Sequence, residues 1–446
     1  MMTRRSRLVS GTFTALLLIA VVAQAGELPR GGFLGLQVGA VSAEEVRGLG
    51  IASGVKVLKL VDGGSGKAAG IQPGDVITQI DSSKVVGTDA FVDFARHLHA
   101  GDVVTISLLR GGKPKDIRME VRPRPFETSP DAGVWYSSIS TADGSRRRVI
   151  VTKPKQPGRH PAILYMTGIG CFSQESLDRS SPDAKLLYGL TAAGFVTMRV
   201  EKSGMGDSEG PPCASPDADL DNEVRGYMAG LLALKQYDFV DSRNIFLLGL
   251  SIGGVEAALV ARQEPVRGVV VVNTVAKPFL EYLLETRRRQ LQLRHVPYDE
   301  IDRRLRENEL CNHRLLIEKE PAEALVKRLP SCREHVDYPA PVTFMRQWAA
   351  IDPGAEWKEV SAPVLIIYGL SDFVATTGDH PYLAAVLNSF HPGQATLKPI
   401  AGMDHYLTRA ASMEESITRP AGTSGEFDSD VVDTITSWLR TQRIST

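Results

Sequence analysis

The chain has 446 residues, of which 43% are hydrophobic, and its formal net charge at pH 7 is −1. This composition is that of a globular protein with room for two or three domains. Because the charges nearly balance, no strong electrostatic field would draw nucleic acid or an anionic membrane, and we expect neither as a partner.

The first 25 residues have the pattern of a secretory signal peptide. An arginine-rich start precedes an apolar run at 8–22, and Ala-Gln-Ala at 23–25 has the small-x-small pattern of a cleavage site. The run is shorter than the roughly 20 residues that a membrane-spanning helix needs, so cleavage is favoured over a permanent anchor. We therefore expect a periplasmic or secreted protein without stable membrane insertion after removal of the signal.

Residues 30–123 have the pattern of a small β-rich domain. Short β-type runs alternate with Gly, Pro and Asp turns around one helical stretch at 88–99. Gly-Phe-Leu-Gly-Leu at 32–36 and Lys-Ala-Ala-Gly-Ile-Gln-Pro-Gly-Asp-Val-Ile at 67–77 resemble segments of the PDZ domains of bacterial periplasmic serine proteases. The resemblance covers nearly the whole region.

This resemblance implies a peptide-binding site. In PDZ domains a loop like Phe33-Leu34-Gly35-Leu36 offers backbone N–H groups to a C-terminal carboxylate, and the peptide adds as a strand to the sheet edge. Protein C-termini are therefore candidate partners. The alternative is a domain that only packs on its neighbour in the chain.

A Pro-rich polar segment at 124–131 is predicted to link this domain to a second one at 132–446. There, short apolar runs alternate with helical stretches, which is typical of a mostly parallel α/β sheet covered on both faces. Between about 275 and 351 a helical, Arg- and Glu-rich insert replaces the alternation, and we interpret it as a cap. Its Arg-Arg-Arg run at 287–289 could select an acidic substrate, but a solvated helix face is favoured.

Two Gly-x-Ser-x-Gly sequences are present, and their surroundings distinguish them. The first, at 206–210, is followed by two prolines, which prevent a helix from starting at Ser208 and indicate a surface turn. The second, at 249–253, directly follows the apolar strand predicted at 244–248 and precedes a helix pattern. A strand–turn–helix of this kind presents a nucleophilic serine, so Ser251 is the candidate nucleophile.

A nucleophilic serine needs a base to take its proton and an acid to orient that base. Asp372, just after a predicted strand, is the candidate acid, and His405 after the next strand is the candidate base. His380 and His391 follow Asp372 too closely to replace His405. Asp404, next to His405, is expected to point elsewhere.

The order of these three residues and the turn around Ser251 resemble the α/β hydrolases of the esterase, dienelactone-hydrolase and prolyl-oligopeptidase-like branch. The resemblance covers about residues 130–446. It implies a catalytic triad of Ser251, Asp372 and His405 that requires no metal and no organic cofactor.

Acyl transfer also needs hydrogen-bond donors for the tetrahedral oxyanion. One is expected to be the backbone N–H of Ile252, directly after the nucleophile. The other is expected in the loop Thr-Gly-Ile-Gly at 167–170, with Ile169 as the donor, although Thr167 stands where many relatives have His.

The four cysteines are disulfide candidates because export is predicted. Of the three pairings we favour Cys171 with Cys213, in loops that should meet at one edge of the sheet, and Cys311 with Cys332, in one helical segment. Free buried cysteines are the alternative. A zinc site is not expected, since no Cys-x-x-Cys or His cluster accompanies them.

These observations together predict an exported serine hydrolase that cleaves carboxylic esters through an acyl-enzyme. An ester is preferred because the chain lacks the β-propeller of prolyl-oligopeptidase-type peptidases. One alternative is a serine peptidase whose PDZ domain delivers peptide C-termini to the site. Another is a non-catalytic PDZ adaptor on a hydrolase scaffold.

Overall fold

The computed structural model describes residues 28–175, 177–375, 377–420, 423 and 425–444. The predicted signal peptide, residues 1–25, lies outside these ranges. Within them, no helix combines the length and the apolar character that crossing a lipid bilayer would require.

The first unit is built on a six-stranded antiparallel sheet. Its strands are β1 (Leu36–Ala40), β2 (Val55–Leu60), β3 (Val76–Ile80), β4 (Ser83–Lys84), β5 (Val103–Arg110) and β6 (Lys113–Glu120). Its helices are α1 (Ala43–Leu49), α2 (Ser65–Ala68) and α3 (Thr88–Arg96). The strand order is β1-β2-β3-β5-β6, with β4 paired to β3. β1 is thus an edge strand, and α3 packs beside it.

The second unit is built on an eight-stranded sheet in the order β14-β13-β12-β11-β9-β10-β8-β7. The strands are β7 (Ala132–Ser140), β8 (Arg146–Pro154), β9 (His160–Met166), β10 (Val196–Val200), β11 (Val240–Leu250), β12 (Gly268–Val272), β13 (Val364–Gly369) and β14 (Ala395–Ile400). Strands β9 to β14 run parallel, whereas β7 and β8 are antiparallel to their neighbours.

Helices surround this sheet. They are α4 (Pro182–Ala192), α5 (Leu220–Leu234), α6 (Ile252–Ala261), α7 (Phe279–Leu293), α8 (Tyr298–Asn312), α9 (Ala322–Arg328), α10 (Arg333–Val336), α11 (Val342–Ala349), α12 (Pro353–Lys358), α13 (Asp379–Phe390), α14 (Met413–Thr418) and α15 (Asp430–Gln442). Alternate strand residues face two cores: Leu247 packs in the core that includes α5 and α6, whereas Leu248 packs in the core that includes α4 and α15. β12 and β13 are buried at every position, which explains their uninterrupted apolar sequences. The predicted fold class is confirmed.

Helices α7 to α11 lie between β12 and β13, in the segment predicted as a cap. A π-helical turn (His313–Ile317) and a 3₁₀ turn (Pro330–Cys332) interrupt them. Phe279 of α7 and Trp348 of α11 stack with ring centroids 3.8 Å apart and belong to the larger core of the sheet. The insert therefore shares the core of the second unit.

The segment 124–131, predicted as a linker, is held against the second unit. Glu127 forms a buried ion pair with Arg199 at 3.0 Å, and its N–H donates to the Tyr136 hydroxyl at 3.0 Å. Phe126 packs against Tyr136 with ring centroids 4.7 Å apart. The segment that connects the two units is therefore held in place by tertiary contacts with the second unit.

A buried ion cluster also joins the two units, and we call it the Arg30 clasp: Arg30, Arg124, Glu175 and Asp207. The Arg30 guanidinium contacts Glu175 and lies 2.6 Å from Asp207. Arg124 pairs with Glu175 at 2.9 Å, and Arg148 pairs with Asp207 at 2.9 Å. Both carboxylates have side chains that are 0% exposed, so they depend on these cations for compensation. The clasp ties the first unit to the loops after β9 and β10.

Candidate active site

Ser251 occupies a strained turn between β11 and α6, with φ 56° and ψ −123°. A side chain at Gly249 would place a Cβ 2.2 Å from the Gly253 carbonyl oxygen, and one at Gly253 would lie 2.3 Å from that of Met166. The Ser251 N–H donates to the Val272 carbonyl oxygen at 3.0 Å. Positive φ costs a non-glycine residue about 1–3 kcal/mol, so this packing must hold the turn. The predicted strand–serine–helix arrangement is present.

Asp372 and His405 are joined by a hydrogen bond at the carboxyl edge of the sheet. His405 Nδ1 lies 2.9 Å from Asp372 Oδ2. The second oxygen, Oδ1, accepts from the N–H groups of Val374 at 2.7 Å and Ala375 at 2.9 Å. With three donors on a carboxylate that is 1% exposed, Asp372 acts as a fixed acceptor. The proton of a neutral His405 is thereby directed to Nδ1, which leaves Nε2 as an acceptor.

A cavity of about 420 Å³ brings the candidate residues together, within the size range of small-molecule sites. Ser251, His405, Ile252 and Ile169 all line it. Six aromatic side chains form much of its wall: Tyr165, Phe172, Tyr282, Tyr338, Trp348 and Tyr406. Asp183 also lines it, but none of the described lining residues is a lysine or an arginine. A larger groove of about 1180 Å³ between β7 and α5 contains none of the candidate residues.

The two candidate oxyanion donors line the same cavity as Ser251. Ile252 is the first residue of α6, so its N–H has no acceptor within the helix and lies at the positive end of the helix dipole. Ile169 lies in the loop after β9. A Cβ placed on the neighbouring Gly168 would be 3.7 Å from the Ser251 Cβ, so this loop runs directly past the serine.

The rival residues have other contacts. His380 stacks on Tyr368 with ring centroids 4.7 Å apart, and His391 Nε2 lies 2.9 Å from the Lys358 carbonyl oxygen. Asp404 is fully buried and accepts hydrogen bonds from Thr408, Ser416 and Arg419. None of these three rivals lines the cavity.

Each arginine of the run 287–289 has a contact within the protein. Arg287 pairs with Glu334 at 2.7 Å and Arg288 with Asp302 at 3.6 Å. Arg289 donates to the Val374 carbonyl at 2.9 Å, so it supports the segment that follows Asp372. This contact could not be predicted from the sequence, because the run has the pattern of a solvated helix face.

Both disulfides that the sequence favoured are present in the structure. Cys171 is bonded to Cys213 with the Cα atoms 5.7 Å apart, and Cys311 to Cys332 with the Cα atoms 5.3 Å apart. The first lies next to Phe172, which lines the cavity. It therefore fixes part of the cavity wall to the loop after β10.

Glu201, just after β10, anchors the segment between that disulfide and the Arg30 clasp. It accepts hydrogen bonds from the Ser173 hydroxyl and from the N–H groups of Gln174 at 2.9 Å and Glu175 at 3.0 Å. Burial raises the pKa of Glu201 to about 7, and these hydrogen bonds oppose the rise without cancelling it.

We predict a pH-dependent contribution of Glu201 to stability. Its pKa in the folded protein, about 7, exceeds the ordinary value of 4.5, so the folded state binds the proton more tightly than the unfolded chain. The stabilisation by Glu201 relative to Glu201→Gln should therefore fall by about 3 kcal/mol as the pH rises from about 4.5 to 7. Urea denaturation across this range measures it. The exposed Glu120→Gln controls for the loss of one carboxyl, and parallel stability curves for wild type and Glu201→Gln would refute the prediction.

Comparison with known proteins finds a matching family model for each unit. The family model described as "PDZ domain" matches residues 32–121, and the one described as "Alpha/beta hydrolase family" matches residues 169–415. Esterase EstD of Thermotoga maritima is 22% identical over 290 residues, which are 65% of this chain and 64% of that protein. A probable DegP-like periplasmic serine endoprotease of Pseudomonas savastanoi pv. phaseolicola is 34% identical over 80 residues, 18% of this chain and 16% of that protein.

The chain thus spans less than two thirds of the length of either curated relative. Among solved structures, Est1E of Butyrivibrio proteoclasticus with bound ferulic acid matches with a TM-score of 0.45 and 17% identity over 68% of this chain and 98% of that one. Acetyl xylan esterase 1 of Thermoanaerobacterium matches with a TM-score of 0.42 and 20% identity, over 70% of this chain and 85% of that one. Since the hydrolase model covers more than half of the chain, the protein belongs to the alpha/beta hydrolase family, and it carries an N-terminal PDZ domain.

Proposed function

We propose that the protein hydrolyses uncharged carboxylic esters through an acyl-enzyme formed on Ser251. The observation that carries this proposal is the shared cavity. It holds a serine on a strained turn at a helix N-terminus together with a histidine that is hydrogen-bonded to a buried aspartate. The family membership and the similarity to a protein named as an esterase support it.

Each residue has a defined role in the proposed reaction. Ser251 Oγ attacks the ester carbonyl while His405 Nε2 takes its proton, and Asp372 stabilises the resulting imidazolium. The N–H groups of Ile252 and Ile169 receive the negative charge on the carbonyl oxygen. Collapse of the tetrahedral intermediate transfers the proton from His405 to the leaving alcohol. Water, activated by His405 in the same way, then attacks the acyl-enzyme, releases the acid and restores Ser251.

The cavity lining favours an acyl group that is apolar and uncharged. Aromatic residues dominate the wall, and Asp183 is present without a lysine or arginine among the described lining residues. A carboxylate on the substrate would be desolvated there without a cation to compensate it, at a cost of several kcal/mol. The arginines at 287–289 contact other parts of the protein and do not line the cavity.

We predict that Ser251→Ala lowers kcat for 4-nitrophenyl phenylacetate at least about 10⁴-fold, because it removes the hydroxyl on which the acyl-enzyme is proposed to form. Ser208→Ala, in the first Gly-x-Ser-x-Gly sequence, is the matched control and should keep wild-type kcat. The same assay with a phenylacetyl ester that bears a ring carboxylate should give a kcat/KM at least about tenfold lower. Full activity of Ser251→Ala would refute the proposed nucleophile, and equal use of the charged ester would refute the proposed selectivity.

We also propose that the PDZ domain binds the free C-termini of peptides at the β1 edge. Among the described strands β1 pairs only with β2, and α3 packs beside it. In the preceding loop, the N–H groups of Leu34 and Gly35 donate to no acceptor among the described residues. Gly35 has φ 64°, and a Cβ on it would lie 2.6 Å from the Gly64 Cα, so the loop packs closely with its N–H groups available. Such a loop suits a carboxylate, and the strand edge suits an extended peptide.

For this site we expect the full-length protein to bind members of a peptide library that end in a free carboxylate. The same peptides with an amidated C-terminus lose the charge that the loop N–H groups would receive, so their affinity should fall at least about tenfold. Isothermal titration calorimetry measures both. Equal affinity for the acid and amide forms, or no binding by any peptide, would contradict the proposal.

We further infer that the protein is exported and loses residues 1–25. The N-terminal sequence pattern and the two disulfides, which are typical of oxidising compartments, support this inference. Mass spectrometry of the full chain expressed in a bacterial host should find protein that begins at Gly26 and contains no free thiol. Protein that keeps residues 1–25 and has reduced cysteines would contradict export.

A further inference from the structure

Behind the loop at 167–170, which we call the oxyanion loop, lies an ionisable cluster that the proposed mechanism does not use: Lys202, Glu223 and Glu256. Lys202 follows β10 and is 5% exposed, and its Nζ lies 3.1 Å from Glu223 Oε1 of α5. Glu256, on the helix that follows Ser251, is fully buried beside Glu223. Burying three ionisable groups is costly, so their arrangement calls for a physical explanation.

Lys202 and Glu223 form the ion pair of this cluster. Burial raises the pKa of Glu256 well above its usual range, and the neighbouring charge of Glu223 raises it further. Burial thus favours the protonated form of Glu256, and the lysine and Glu223 form an ion pair. The ammonium of Lys202 is thus held in a fixed place and keeps further donors for a neutral acceptor.

That acceptor is a backbone carbonyl oxygen of the oxyanion loop. Lys202 Nζ donates to the Gly168 carbonyl oxygen at 3.0 Å. This carbonyl belongs to the same peptide unit as the N–H of Ile169, and in a planar trans peptide the two groups point in opposite directions. The hydrogen bond from Lys202 to the Gly168 carbonyl therefore fixes the direction of the Ile169 N–H. A cation on the carbonyl also polarises the amide and strengthens its N–H as a donor.

A second contact holds the start of the same loop. The Thr167 N–H donates to the buried Tyr227 hydroxyl at 3.2 Å. Gly253, on the nucleophile turn, approaches Met166 and Thr167 so closely that a side chain would lie 2.3 Å from the Met166 carbonyl oxygen. These contacts set the position of the loop at Thr167, and the Lys202 contact sets the orientation of the next peptide unit.

We propose that Lys202, paired with Glu223, is a positioning residue that orients the Gly168–Ile169 peptide so that the Ile169 N–H meets the developing oxyanion. This inference rests on the proposed ester hydrolysis at Ser251. It assigns Lys202 an effect on the transition state, where the oxyanion forms, and little effect on binding of the ground-state ester.

The test is steady-state kinetics of the full-length protein with Lys202→Met, which keeps the stem of the side chain and removes the donor. We expect kcat for 4-nitrophenyl phenylacetate to fall about 30-fold, less than the full loss of an oxyanion donor, with KM changed less than about threefold. Affinity for a phenylacetyl trifluoromethyl ketone, which forms an oxyanion on Ser251, should fall by a similar factor. The matched methyl ketone should bind equally well to both proteins.

Lys202→Met leaves Glu223 without its partner, so the double variant Lys202→Met/Glu223→Gln is measured in parallel. It removes both charges and should show the same loss in kcat. Lys235→Met, at the C-terminal end of α5 and outside the cavity lining, is the control and should leave kcat unchanged.

A kcat within threefold of wild type in either folded Lys202 variant would overturn the inference. An equal loss of affinity for both ketones would overturn it too, because the effect would then not be specific to the oxyanion. Failure of the proposed function is separate: it would show as a wild-type protein without ester hydrolysis, or as hydrolysis that Ser251→Ala retains.

Discussion

The close approach of backbone to backbone around Ser251 is the constraint on which the rest of the site depends. The chain leaves β11, reverses and enters α6 within a space that admits only glycine at 249 and 253. This packing supports the left-handed backbone of Ser251 and places its side chain in the cavity at the carboxyl edge of the sheet. Because β9 and β13 are parallel to β11 or its neighbour, the loops that carry Ile169 and Asp372 emerge at the same edge.

A continuous set of contacts connects the PDZ domain with the wall of this cavity. Arg30 forms an ion pair with the Glu175 side chain. The backbone N–H groups of Gln174 and Glu175 donate hydrogen bonds to the Glu201 carboxylate. The same segment leads back to the Cys171–Cys213 disulfide beside Phe172, which lines the cavity. Buried charges therefore join the two units, and the disulfide continues this connection within the second unit. The position of one cavity wall depends on the same segment that anchors the PDZ domain.

The sequence was most informative where a function requires an unusual local pattern. The strand–turn–helix around Ser251 could be predicted because a strained turn needs small neighbours, a buried strand before it and a helix after it. The contacts of Lys202 and Arg30 could not be predicted from the sequence, because a single basic residue in a polar segment has the pattern of a solvated side chain. Their partners lie far away in the sequence, on separate strands and helices. The contacts of the predicted linker 124–131 through Glu127 and Phe126 could not be predicted either, since they are tertiary.

We propose that Ser251, His405 and Asp372 act as one catalytic unit, and the rate of modification by a fluorophosphonate tests this most directly. Peptide mass spectrometry of the modified wild-type protein should find the adduct on Ser251 alone. His405→Ala should react at least about 10³-fold more slowly, because its serine would have no base to take the proton. Modification at another residue, or an equal rate in His405→Ala, would contradict the account.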